Sequence, residues 1–130
     1  MTDNISIARA SYEAYARKDR AKIEALIAED FNFTSPLDNR LDRETYFTRC
    51  WPNSETVKGF EFIDLVPDGD RVFVRYEGIG TGNRRFRNTK ILTVRDGRIR
   101  EVEVYFGWSI PHEAPEGGYV DQKATGAMHS

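Results

Sequence analysis

Residues 96–108, DGRIREVEVYFGW, decide how the chain folds. Val102, Val104 and Phe106 alternate there with Glu101, Glu103 and Tyr105, the two-residue period of a strand with one buried face and one wet face. The apolar set is therefore expected inside and the glutamates outside. Asp96-Gly97 before this strand accepts the positive backbone angles of a tight hairpin, so the strand has an antiparallel neighbour upstream. Reading backwards, Phe60 to Val66, Val72 to Ile79 and Phe86 to Val94 are likewise rich in β-branched and aromatic residues. PDGD (67–70), GTGN (80–83) and RDGR (95–98) join the four strands, and an antiparallel meander is expected.

The first half has a different period. Ile5, Ala8, Tyr12 and Tyr15 recur at spacings of three and four, the stripe of an amphipathic helix. Asp19 can cap a second helix reaching Ala28, with Ile23, Leu26 and Ile27 buried. Phe31 and Phe33 alternate as in a strand that stops at Pro36, and Asp42 to Cys50 reads as a third short helix ended by Pro52. Helices followed by hairpins define an α+β domain. Its span is 1–108. Residues 109–130 lose periodicity, carry two prolines and two consecutive glycines, and read as a C-terminal tail, ordered where it docks.

The chain has 130 residues, 39% of them hydrophobic and 31% charged, enough for one core and no second domain. Its net charge of −2, with basic residues scattered apart from Arg84, Arg85 and Arg87, leaves no footprint for nucleic acid. The arginine cluster suits either an anionic partner or a solvated sheet edge. No run approaches the roughly 20 apolar residues of a membrane span, and Met1–Ala10 lacks the pattern of a signal peptide. A cytoplasmic protein is expected. Cys50 has no cysteine to pair with, and neither a metal-ligand spacing nor a phosphate loop is present. No metal and no cofactor are expected.

The order of elements, with YARKDRAKIEALIAEDFNFTSP (15–36) and GRIREVEVYFG (97–107), resembles the nuclear transport factor 2-like superfamily, especially its SnoaL-like and ketosteroid-isomerase-like members. The resemblance spans roughly Ile5 to Trp108. It implies a cone: three N-terminal helices packed on a strongly bent, mainly antiparallel sheet that encloses an apolar cavity, with homodimers through the outer sheet face. Glu101, Glu103 and Tyr105, near Phe73 and Ile91, would form that face.

The catalytic set of the ketosteroid isomerases does not carry over. Their general base is an aspartate before the first-strand proline, where this chain has Ser35, which cannot take a carbon-bound proton unaided. Their helix-one tyrosine falls on Ser11, one residue from Tyr12. Their protonated aspartic acid aligns near Lys90. A different polar set remains around the implied cavity: Asp38 as base, Lys90 or Tyr15 polarising a carbonyl, and His112 as proton carrier. Tyr12, Phe33, Ser35, Tyr46, Trp51, Phe106 and Trp108 would contact a small hydrophobic ligand. Burial would raise a carboxylate's pKa and lower a lysine's towards neutrality.

Each residue also has a structural reading. Asp38-Asn39 is ordinary turn composition, and Ser35 can bond local backbone. Tyr12 and Tyr15 have core spacing, the tryptophans can close a rim, His112 can be solvated, and Cys50 can pack as a small hydrophobe. Three functions stay open at this stage: an isomerase, cyclase, hydratase or hydrolase working by acid–base chemistry, a carrier of a small hydrophobic ligand, and a protein-interaction module.

Overall fold

The computed structural model describes residues 3–121, so residues 122–130 of the expected tail lie outside the described residues. Helix α1 (Asn4–Ala16) starts where the Asp3 carboxylate accepts from the Ser6 N–H at 2.7 Å, satisfying a donor that the helix itself leaves free. Its buried face is Ile7, Ala8, Tyr12 and Ala14, with Ile5 packed partly against the core. Lys18 in the left-handed region (φ 58°) turns the chain, and Asp19 caps α2 (Arg20–Leu26) by accepting from Lys22 N–H at 3.1 Å.

Helix α2 ends two residues short of the expected Ala28, and strand β1 (Ile27–Ser35) begins at once. Ile27 is β-branched, adopts φ −98° and ψ 132°, and pairs with Ile99, so the ladder outcompetes a further helical turn. At Pro36 the chain does not simply stop. It folds back as β2 (Asp38–Asp42), pairing Phe33 with Leu41 and Ser35 with Asp38. This strand is not expected from the sequence, because DNRLD has a single apolar residue, Leu41, and so no alternation to reveal it. Asp42 then caps α3 (Arg43–Arg49) through Thr45 N–H at 2.8 Å, and a 3₁₀ segment, Trp51–Thr56, with Pro52 in its first turn leads to the sheet.

Strands β3 (Val57–Asp68), β4 (Arg71–Gly80), β5 (Arg85–Arg95) and β6 (Arg98–Ile110) form the expected meander. The whole sheet runs β2-β1-β6-β5-β4-β3, and β1 lies parallel to β6. The sheet is thus mixed, its parallel pair covering an edge of β6 that would otherwise expose unpaired backbone. Register shifts between Phe62 and Asp64 in β3 and between Phe86 and Asn88 in β5 bend these long strands. Gly97 (φ 76°) and Asp96 (φ 53°) make the last hairpin as the sequence requires. β6 continues past Trp108, pairing Ser109 with Phe86 and Ile110 with Arg85.

The concave face receives the helices. Val72, Val74, Leu92, Val94 and Ile99 are almost wholly buried against Ile7, Ala8, Tyr12 and Ile23. Burial alternates along β5 as it does along β6: Asn88, Leu92 and Val94 are buried on the inward register, and Lys90 occupies the position between Asn88 and Leu92. The arginine cluster is largely neutralised, since Arg85 and Arg87 both bond Glu77 and Arg85 also reaches Glu61.

Candidate active site

Between α1, α3 and the bent sheet lies a cavity of about 260 Å³. Its walls are aromatic: Phe33 and Tyr46 on one side, Phe60, Tyr76 and Phe86 on another, and Phe106 from β6. Such walls with few polar groups are the composition of small-molecule sites. The polar groups sit at two places.

The first is the mouth, where β1 turns into β2. Ser35 Oγ donates to Asp38 Oδ2 at 2.8 Å, while Leu37 N–H donates to the same hydroxyl at 3.0 Å. Pro36 makes this possible, because it holds Ser35 extended and leaves a short turn whose donors the serine can reach. Both Ser35 and Asp38 line the cavity.

The second is the sheet wall. Lys90 faces Val74 on β4 and Val104 on β6, in the inward register, and its Nζ stands 4.8 Å from the Tyr12 ring centre and 5.5 Å from that of Tyr76. It retains some accessible surface because it borders the cavity, yet protein surrounds it. Among the described residues its amine has no hydrogen bond and no carboxylate within ion-pair distance. Burial lowers its pKa to about 8, opposed by the nearby Cys50 sulfur. The aromatic faces compensate part of the lost hydration.

Other groups tie the two places together. The Cys50 thiol is pushed up to about 11, first by burial and then by the Asp38 charge, with Arg49 and Lys90 opposing, so Asp38 and Lys90 act on one sulfur from within the same cavity. Burial also keeps Tyr15 a neutral phenol well above the usual range, and its hydroxyl donates to Cys50 carbonyl at 3.4 Å. Asn88 is buried, donating to Tyr76 Oη at 3.4 Å and accepting from Gly107 N–H at 3.1 Å. Tyr76 is pushed up to about 12 by burial, with Asn88 opposing.

Of the residues singled out from sequence, the structure gathers Asp38, Lys90, Tyr15, Ser35, Phe33, Tyr46 and Phe106 around one cavity. Tyr12 lies beneath Lys90 and borders an adjoining space of about 40 Å³; among the described residues its buried hydroxyl has no hydrogen-bond partner. Trp51 stands behind the wall, its ring 5.5 Å from Tyr15 and 6.2 Å from Phe47. Trp108 is 52% exposed, its ring 5.2 Å from and tilted 47° to that of His112, whose Nδ1 accepts from Ala114 N–H. Those last three residues do not border the cavity. Sequence reasoning passed over Phe60, Tyr76, Phe86 and Asn88; the period of β5 that turns Lys90 inward turns Asn88 inward as well.

The model of the SnoaL-like domain matches residues 8–102. The chain belongs to the SnoaL-like family. Solved structures agree on the fold of this SnoaL-like chain. A protein from Kribbella flavida superposes with TM-score 0.72 at 20% identity, over 79% of this chain and 85% of that one. An LEH-like epoxide hydrolase of M. tuberculosis gives 0.65 at 24%, over 79% and 81%. An NTF2-like protein of unknown function from Burkholderia pseudomallei gives 0.66 at 19%, over 82% and 92%. Comparison with curated proteins yields no match. Among the described residues no helix is long and apolar enough to cross a membrane, and no three His, Cys, Asp or Glu side chains gather as a metal site.

Proposed function

We propose that this SnoaL-like protein is a small-molecule enzyme whose side chains perform acid–base chemistry on an apolar substrate bearing one polarisable oxygen, as in a ketone, lactone or epoxide. The observation that carries this reading is Lys90, an amine with no hydrogen-bond or carboxylate partner among the described residues, in the wall of an aromatic cavity that Asp38 also lines. A substrate oxygen placed at Lys90 meets an ammonium below about pH 8, which stabilises negative charge developing on it. Asp38, held by Ser35 through Oδ2, has Oδ1 left to accept a proton from a carbon acid or from water. Epoxides belong in the test because one structural relative is an LEH-like epoxide hydrolase.

The test is conversion of a panel of small ketones, lactones and epoxides followed by mass spectrometry. Turnover lost in both Lys90→Met and Asp38→Asn, with folding retained, supports the reading. Ligand binding with no conversion across the panel supports a carrier instead. The carrier has one observation in its favour: Asp38 is already employed as the acceptor of a turn hydrogen bond.

The outer sheet face supports a homodimer. Phe73, Ile91 and Glu103 lie opposite one another across β4, β5 and β6, beside Tyr105, which is 52% exposed. A monomeric mass in light scattering at micromolar concentrations would oppose it.

A further inference from the structure

We propose that Lys90 is a nucleophilic amine that forms an imine with small apolar aldehydes admitted to the cavity. The inference rests on the cavity being a small-molecule site and names a substrate class for it.

A lysine in a protein wall ordinarily has an acceptor or a carboxylate for its ammonium. Lys90 has aromatic faces on two sides and, among the described residues, no such partner. A buried charge without a counter-ion is costly, so the neutral amine is reached near physiological pH, at about 8. A neutral amine with nothing to bond keeps its lone pair for an electrophile. The electrophile is selected by the rest of the cavity, whose Phe60, Phe86 and Phe106 favour an apolar or aromatic body. Cys50, the competing nucleophile, is held as a thiol because its pKa is about 11. Lys18, Lys22 and Lys58 lie exposed, outside the site.

The step balances with groups at hand. The Lys90 nitrogen lone pair forms a bond to the carbonyl carbon, the C=O π pair moves to oxygen, and water carries a proton from the nitrogen to that oxygen, giving a neutral carbinolamine. A second proton, taken from solvent, lets the hydroxyl leave as water while the nitrogen pair forms C=N, giving the protonated imine. No oxidant or reductant takes part.

The full chain would be incubated at pH 7.5 with benzaldehyde and sodium cyanoborohydride, whose hydride fixes the imine as an N-benzyl amine, and then mapped by peptide mass spectrometry. The proposal expects Lys90 to be labelled at least about tenfold faster than Lys18, Lys22 or Lys58, following its lower pKa. Benzyl alcohol, of similar shape but with no carbonyl, should raise the melting temperature and slow the labelling. Lys90→Met should abolish the fast label; if that variant does not fold, Lys90→Arg serves in its place. Labelling spread evenly over the lysines overturns the proposal. A saturable melting shift with both compounds but no label on Lys90 overturns the imine while leaving the cavity a binding site. Neither shift nor label removes both readings.

Discussion

The Ser35 hydroxyl donates to Asp38 Oδ2 at 2.8 Å and accepts from Leu37 N–H at 3.0 Å, so one side chain both shapes the β1–β2 turn and holds the cavity's acid. Ser35→Ala is expected to cost about 1 kcal/mol or less, because the freed Leu37 N–H is exposed to water. Turnover should fall more than stability does, since Asp38 loses the group that fixes it. Urea unfolding beside kcat on the same preparation separates the two.

Asp38→Asn keeps the size of the side chain and an acceptor for Ser35 but cannot take a proton. It should fold as the parent does and lose turnover by about 10²–10⁴, the range of a general base. Measuring kcat of parent and variant side by side, with urea midpoints on the same preparations, checks it.

Lys90→Met should stabilise the fold, by at most about 3 kcal/mol at neutral pH. Below about pH 8 the amine is charged in both states and its burial cost is fully present. Between about 8 and the ordinary 10.5 the unfolded chain holds a proton that the folded chain has released, so the parent gains stability as pH rises. The advantage of the variant should therefore shrink across that window, as urea midpoints at pH 7, 9 and 10.5 would register.

Gly78 lies under the Phe86 ring, where an added Cβ would come within 2.3 Å of Cζ. Gly78→Ala should push that ring from its place in the cavity wall, destabilising by about 1–3 kcal/mol and weakening any ligand that raises the melting temperature. Gly59→Ala, with nothing within 4 Å, is the control and should stay within about 0.5 kcal/mol.

Much of this architecture was legible because the signals are local. The alternation of Val102, Val104 and Phe106, the caps at Asp19 and Asp42, and the Asp96-Gly97 turn each act within a few residues. What stayed hidden was non-local. Nothing near Ile27 in sequence announces a parallel partner at Ile99, and β2 is short and broken at Arg40. The cavity was visible in parts: Ser35, Asp38 and Lys90 could be named, but whether Lys90 points inward depends on the register of β5 against β4 and β6. Trp108 and His112 look like site residues by composition, yet they contact each other at the end of β6, away from the cavity.

The reactivity of Lys90 is best tested by a pH titration of its amine, followed by NMR in protein carrying isotope-labelled lysine and assigned with Lys90→Arg. A midpoint near 8 that moves when a cavity ligand is added is expected. A midpoint at the ordinary 10.5, unmoved by ligand, would mean that the amine is solvated and that the cavity lacks its reactive pole.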